Sequence, residues 1–590
     1  MVDYVAPVKD VMFVLEHLVD IESLCRLPRF AEADTALIQN VLEEAGRFAT
    51  AELAPLNSVG DQVGTKLVSR QVREASGFSE AYRKFVAGGW TSLACNPDYG
   101  GMGLPECIGA ATMEMWSAAN VSFALCPLLG QGAIEAIEFH ASETLRDAYL
   151  SRMVSGEWTG TMNLTEPQAG SDLAAIKTRA VRDGDQFRIF GTKIFITWGD
   201  HSMTDNIIHL VLARIEDAPE GVRGLSLFLV PKFLVDSAGK PVERNDVYPM
   251  SVEHKMGIHG SPTCVMNYGD GGHGAVGYLV GEENAGLACM FTMMNHARLN
   301  VGVEGVALSD RAYQKALGYA RERVQGKAPG YEDNAPIIAH ADVRRMLMLM
   351  RALTEASRAL CIYAFSCLDR ARHDDDEARA QDALGVGELL VPLAKGWSTE
   401  VSQEVTYLGV QVHGGMGFIE ETGAAQLMRD ARITTIYEGT TGIQANDFIG
   451  RKVGRNGGSE LRKLIGEMRE ALPGLAESPD LTDIGRHLSL AIDELERATD
   501  WVVSHSDSRE LAGSAAFNYL MGAGTCVAGW LMARSALVAT ANADEPFMAA
   551  KVATARFFAT QLLPRVTAYL GTIDDGLKTF DDDSNTALSG

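Results

Sequence analysis

Glu438 has the surroundings best suited to proton chemistry. It stands in ITTIYEGTTG, after Ile433, Ile436 and Tyr437 and before Gly439. A carboxylate among apolar neighbours loses hydration, which raises its pKa and makes it a better general base near neutral pH. Gly439 permits close backbone approach, so a substrate carbonyl could reach the Glu438 amide. On spacing alone, a solvated glutamate in a turn stays open as the plainer reading.

A second group of residues suits a flat ligand. MNLTEPQAGSDLAAIKT (Met162 to Thr178) is followed by KIFITWG (Lys193 to Gly199). Thr165, Ser171 and Thr197 offer hydroxyls and nearby backbone amides, and Phe195 is an aromatic platform. A planar heteroaromatic cofactor needs that mixture of flat apolar contact and polar donors. A tight turn built on Pro167, Ala169 and Gly170 fits the first segment equally well. QVHGGMGF (Gln411 to Phe418) has three glycines that allow backbone contact with a ligand, or that end a helix and begin a turn. Arg298 and Arg323 lie near the ends of a helical stretch and singly read as surface charges, while MLMLM (Met346 to Met350) reads as helix core.

Other chemistries lack their markers. GDGGHG (Gly269 to Gly274) matches GxGxxG, but the following AVGYLVGEENAG looks like a strand and a turn. A dinucleotide fingerprint must open a helix, so this is expected to be a hairpin loop. No Walker A, HExxH or GxSxG pattern occurs.

The elements that must position these residues change period along the chain. Its 590 residues suggest about four domains at roughly 150 residues each. Residues 1–160 show the three- and four-residue apolar spacing of helices, as in Asp34 to Leu56. Residues 161–285 turn to β-branched and aromatic runs such as QFRIFGTKIFIT, NIIHLVLARI and GLSLFLVP. These are too closely spaced for crossover helices, so an antiparallel sheet or small barrel is expected. Helical periodicity returns over 286–450, and after the break RKVGRNGGS a further helical domain covers 451–590, ending in the acidic tail FDDDSNTALSG. The expected fold class is α+β and mainly α: N-terminal helical domain, central β domain, helical bundle and appended C-terminal helical domain.

Charge and cysteine content narrow the partners and the setting. The net charge of −25 disfavours nucleic acid and anionic membrane surfaces, both of which need clustered positive charge. Nine scattered cysteines without a CxxC pair argue against a disulfide framework or a zinc site. The start lacks a positive n-region, so no secretory signal is read and a cytoplasmic location is expected. Leu511 to Ala533 runs without a charge, but its glycines, Ser514, Asn518 and Thr525 favour a buried helix over a membrane span.

Taken together and in order, TEPxAGSD, the IT element thirty residues on, QxxGGxGF and IYEGT resemble the acyl-CoA dehydrogenase family of flavoproteins over roughly residues 35–450. The resemblance implies FAD as cofactor, with Met162, Leu164, Thr165, Gly170 and Ser171 along the isoalloxazine and Phe195 and Thr197 beside it. It implies that Arg323 and Gln325 reach the pyrophosphate, that Gln411, Val412, His413, Gly414 and Gly415 reach FAD from a neighbouring subunit, and that Thr440 completes the contact. Ser171, Asn295, Arg298, Tyr437 and Gly439 would then meet the acyl-CoA substrate. Glu438 matches the family's base, which removes an α-proton of the thioester while the β-hydrogen leaves as hydride to the flavin. Electron-transferring flavoprotein is the implied acceptor, and a homo-oligomer, dimer or tetramer, the implied assembly. Asn295, Phe195 and Gly442 stand where many members have Asp, Trp and Gln.

The length beyond IYEGT, the start YVAPVKDVMFVL and the element YARERVQG look like the bacterial subgroup that oxidises 3-(methylthio)propanoyl-CoA during dimethylsulfoniopropionate breakdown. The product would be 3-(methylthio)acryloyl-CoA. Three alternatives stay open: a general short-, medium- or long-chain acyl-CoA dehydrogenase of fatty-acid oxidation, an acyl-CoA oxidase, and a non-catalytic flavoprotein that binds nucleic acid.

Overall fold

A computed structural model describes residues 4–236, 238–574 and 588–589. Apart from residues 588–589, the acidic tail lies outside the described residues. The chain divides into two compact units, one of Met1–Val5, Ala45–Leu104 and Met115–Ala297, the other of Ala6–Glu44, Pro105–Glu114 and Arg298–Gly590.

The first unit joins helices to a β-barrel. Its strands are β1 (Trp158–Asn163), β2 (Arg179–Asp183), β3 (Gln186–Thr197), β4 (Asn206–Ile215), β5 (Leu225–Pro231), β6 (Val247–Val252), β7 (Thr263–Tyr268) and β8 (Ala275–Val280). The pairings β3 with β8, β8 with β5, β5 with β4, β4 with β2 and β2 with β3 close on themselves. Closure removes open sheet edges. β6 and β7 extend the sheet from β3. Every residue of β5 is buried, as its unbroken apolar run requires, and Phe187, Ile189, Val211, Phe228 and Val230 meet in the core. The antiparallel expectation needs one correction: β1 and β2 both pair with β4 in parallel. The chain returns from β1 to β4 only after the β2–β3 hairpin, so no tight turn forces those strands to oppose. Gly269 to Gly274 links β7 to β8, with Gly269, Gly272 and Gly274 at positive φ and β8 in place of a helix directly after it; the hairpin expectation is corrected, because β7 and β8 both pair antiparallel with β3, at different stretches of it, and not with each other.

The second unit is helical. Its long members include Ala341–His373, Glu377–His413 and the helix Gly286–Glu322 from Arg298 onward, followed by the short Thr441–Asn446 and the C-terminal helices Thr482–Ser504, Arg509–Thr540 and Pro546–Gln561. Within the uncharged run of Arg509–Thr540, residues 519–533 are buried. A Cβ on Gly524 would come 2.6 Å from the Trp397 ring, and the Trp397 indole donates to Thr525 Oγ1 at 3.0 Å. Those small residues let two helices approach. Among the described residues one helix, Glu106–His140, is long and apolar enough to cross a membrane, and 89% of its most apolar stretch is buried in the protein.

A buried charge network ties the two ends of the chain to this unit. Arg358 donates to Glu114 and to Asp10 Oδ2, the latter at 2.5 Å, and lies 3.1 Å from Asp310. Lys551 pairs with Asp10 and, at 3.0 Å, with Glu355. Asp10 belongs to the N-terminal helix Val8–Val14 and Lys551 to Pro546–Gln561. Desolvation would raise the Asp10 carboxyl, but the two cations win and hold it near 2.

Candidate active site

The candidate base sits between Arg432–Thr435 and Thr441–Asn446, in a short segment held from three helices. Glu438 is half-buried and has φ +54, a left-handed conformation unusual for a non-glycine residue. The next residue, Gly439, has φ +89, and a Cβ there would meet Gln444 Nε2 at 2.8 Å. Lys395 Nζ donates to the Gly439 carbonyl at 2.6 Å. Gln444 Nε2 donates to the Glu438 and Gly439 carbonyls at 3.2 and 3.3 Å. Thr440 is exposed and caps Thr441–Asn446 by accepting from Ile443 N. No acceptor among the described residues takes the Glu438 N–H, so that donor is open to a ligand carbonyl.

Electrostatics favour a base that works near neutrality. Desolvation pushes the Glu438 carboxyl up to about 7, against the pull of Arg298 and Lys395. Arg298 is buried, 3.7 Å from Asp447 Oδ2. Burial brings the Lys395 ammonium down to about 8, with the Glu438 charge opposing the fall. Near pH 7 a substantial fraction of Glu438 is ionised yet poorly hydrated, which suits proton abstraction. Tyr437 donates its hydroxyl to the buried Glu304.

The first unit carries the residues expected to meet a planar ligand. Met162 is half-buried on β1, and buried Leu164 has its carbonyl bound by Lys193 Nζ at 2.9 Å. Thr165 and Thr197 are half-buried, whereas Gly170 and Ser171 are exposed. Phe195 is 58% exposed at φ +60. The reason is an extra residue in β3: Cys264 pairs with Ile196 but Met266 pairs with Lys193. A bulge of that kind re-aims a side chain, and here it leaves an aromatic ring uncovered. Glu166 fixes the preceding loop by accepting from Lys177 N, Thr178 N and Lys193 Nζ at 2.8, 3.0 and 2.9 Å. Lys193 is drawn down to about 8 by burial and Glu166 is held near 2 by Lys193 and its hydrogen bonds, so the pair is ionised at neutral pH.

The remaining expected residues lie elsewhere. Asn295 is exposed on Gly286–Glu322, in the part belonging to the first unit. Arg323 and Gln325 are exposed, with Arg323 Nη2 donating to Gln325 Oε1 at 3.3 Å. Gln411, Gly414 and Gly415 are exposed where Glu377–His413 ends, but Val412 and His413 are buried. The His413 ring bonds the Gly409 carbonyl and stacks on Tyr319, so the side chain shapes the segment and leaves contact with a ligand to the backbone.

Lys193, Glu166, Lys395, Gln444 and Glu304 were not foreseen as parts of these sites. Glu166 and Lys193 stood inside the motifs TEPxAGSD and KIFITWG, and Lys395 and Glu304 show only as charges inside apolar runs.

Four family models match this chain: acyl-CoA dehydrogenase N-terminal domain over 37–157, middle domain over 161–270, C-terminal domain over 284–453, and acetyl-CoA dehydrogenase C-terminal-like over 464–581. The chain belongs to the acyl-CoA dehydrogenase family. It is 48% identical to the 3-methylmercaptopropionyl-CoA dehydrogenase of Ruegeria pomeroyi, over 97% of this chain and 98% of that one. It is 34% identical to the broad-specificity linear acyl-CoA dehydrogenase of Mycobacterium tuberculosis, over 98% and 99%. A crystal structure of an acyl-CoA dehydrogenase complexed with FAD from Bacillus anthracis shares the fold, with TM-score 0.75 and 21% identity over 95% of this chain and 91% of that one. As an acyl-CoA dehydrogenase this protein is an oxidoreductase that acts on acyl-CoA, and its cofactor is FAD. The donor set fits that cofactor: the bulge leaves Phe195 uncovered next to the Thr197 hydroxyl, while Gly170 has no atom within 4 Å of where a Cβ would sit.

Proposed function

We propose that this acyl-CoA dehydrogenase converts 3-(methylthio)propanoyl-CoA to 3-(methylthio)acryloyl-CoA. The observation that carries the chemistry is Glu438, a carboxyl raised to about 7 beside Arg298 and Lys395 with its own N–H open. The 48% identity to the Ruegeria enzyme over nearly the whole of both chains supports the substrate.

Glu438 takes the α-proton of the thioester. Its N–H receives the thioester oxygen as negative charge develops there, which lowers the barrier to a very weakly acidic C–H. Arg298 and Lys395 stabilise the ionised base before transfer, and desolvation keeps its basicity high enough for the step. Phe195, Thr165, Thr197, Gly170 and Ser171 would hold the flavin ring, with Met162 and Leu164 behind the loop. Arg323 and Gln325 would meet its pyrophosphate, and Thr440 would add a further contact. FAD, when bound, supplies the hydride acceptor for the β-hydrogen. Ser171, Asn295, Tyr437 and Gly439 are assigned to the acyl-CoA.

Electron-transferring flavoprotein is the proposed acceptor and a homo-oligomer the proposed assembly. The exposure of Gln411, Gly414, Gly415 and, at 85%, Phe418 supports a segment that reaches a neighbouring copy. The proposed division is 1–160, 161–285, 286–450 and 451–590.

Turnover of 3-(methylthio)propanoyl-, butanoyl-, octanoyl- and palmitoyl-CoA with an artificial acceptor tests the reading. The methylthio substrate is expected to give the highest kcat/KM, and a strong preference for palmitoyl-CoA would defeat the assignment. A flat profile over the linear chains would favour the breadth named for the Mycobacterium relative. Glu438→Gln is expected to stay yellow and lose turnover.

A further inference from the structure

Glu304 is a carboxyl that the proton transfer leaves unused. It lies on Gly286–Glu322 with no exposed surface. Oε2 accepts the Tyr437 hydroxyl, and Oε1 is buried with no hydrogen-bond partner among the described residues. Tyr437 immediately precedes Glu438, whose left-handed backbone costs about 1–3 kcal/mol and persists only where its surroundings over-determine it. Glu304, Lys395 and Gln444 reach residues 437–439 from three different helices and supply that restraint.

The charges around these residues are already engaged. Arg298 faces Glu438 but is shared with Asp447, which also holds Arg451 at 2.5 Å. Lys395 faces Glu438, Glu304 and Glu400 and donates to the Gly439 carbonyl, while Glu400 takes the Thr441 hydroxyl. Asp430 faces Tyr437 from Ala424–Ala431. An ionised Glu304, unexposed and with one hydrogen bond, would carry a desolvation cost of several kcal/mol. A neutral acid avoids that cost and keeps Oε2 as the acceptor of the Tyr437 hydroxyl.

We propose that Glu304 is a positioning residue for the Glu438 base: it stays a neutral acid while Glu438 gains and loses its proton, and it anchors the strained segment through the Tyr437 hydroxyl. This rests on Glu438 being the base. Burial pushes the Glu304 carboxyl up to about 8, with the Tyr437 hydrogen bond opposing and the Glu438 charge adding to the rise.

The test uses FAD-loaded Tyr437→Phe, Glu304→Ala, their double variant and Glu304→Gln. Loss of the anchoring hydrogen bond is expected to lower kcat about tenfold in each of the first two, with KM unchanged in Glu304→Ala and the kcat of the double variant no lower than either. Glu304→Gln keeps an acceptor for Tyr437 and is expected to recover kcat to within about threefold of wild type, with the acid limb of the kcat/KM profile unmoved. Wild-type kcat in both Tyr437→Phe and Glu304→Ala overturns the positioning role. An acid limb displaced by about one pH unit to lower pH in Glu304→Gln overturns the neutral acid, because it means a negative charge was removed. Flavin absorbance and unfolding temperature report folding, and Tyr437→Phe, which loses only a hydroxyl, carries the test should Glu304→Ala not fold. Turnover by Glu438→Gln would remove the base assignment itself, whereas an inactive Glu438→Gln beside normal Tyr437→Phe and Glu304→Ala removes the Glu304 proposal alone.

Discussion

Replacing Glu438 with Gln should stabilise the protein at alkaline pH while abolishing turnover. The carboxyl has an ordinary value of 4.5 and stands at about 7 in the folded chain. At 1.36 kcal/mol per pH unit, that difference sets a ceiling of about 3 kcal/mol. Glu438 is only half-buried, so solvent screening brings the figure down. The sign follows from which state binds the proton more tightly. The folded chain does, so the stabilisation is fully present below pH 4.5 and is lost as pH rises through 7. Gln has no proton to lose and escapes that loss. Part of the change is complete by pH 5.5, the lowest value clear of a pI near 5.0. The advantage of Glu438→Gln over wild type should therefore grow by about 1–2 kcal/mol between pH 5.5 and 8.5. Urea unfolding of both FAD-loaded proteins at the two pH values measures it through the midpoints. In wild type the same carboxyl should give kcat/KM an acid limb with its midpoint near 7. A stability difference that does not change with pH, or an acid limb below pH 5.5, would refute the reasoning.

Arg323→Ala should weaken retention of FAD, since among the described residues the exposed guanidinium bonds only the Gln325 amide; full occupancy after gel filtration contradicts this. Lys551→Met leaves Asp10 and Glu355 short of a buried cation and should cost about 3–5 kcal/mol, so an unchanged unfolding temperature would show that the two chain ends are not tied through this residue. Phe195→Ala removes an exposed ring and should shift the unfolding temperature of the FAD-free protein little, while raising the Kd for FAD in a fluorescence titration; unaltered FAD affinity counts against the flavin platform.

Most of the architecture was legible because it follows from local periodicity. An unbroken apolar run such as GLSLFLVP calls for cover on both faces, and every residue of β5 has it. Composition favours a buried helix over a membrane span for the uncharged run 511–533, and the close approach of Gly524 to Trp397 gives the packing reason. The parallel pairing of β1 with β4 was not legible, because a strand's partner across a long connection is chosen by barrel closure and leaves no local mark. Phe195 could be picked out by type, but its outward aim depends on a bulge set by the register of β7 against β3.

The sequence by itself determined the order helical, β, helical, helical and the segments that carry chemistry, because those rest on residue type and near neighbours along the chain, and the family resemblance singled out Glu438 as the proposed base. Only the tertiary structure decided that Arg298, Glu304 and Lys395, all more than 40 residues earlier in the chain, converge on residues 437–439. The pKa of the base belongs to that convergence, since desolvation and the field of neighbouring charges depend on distance through space.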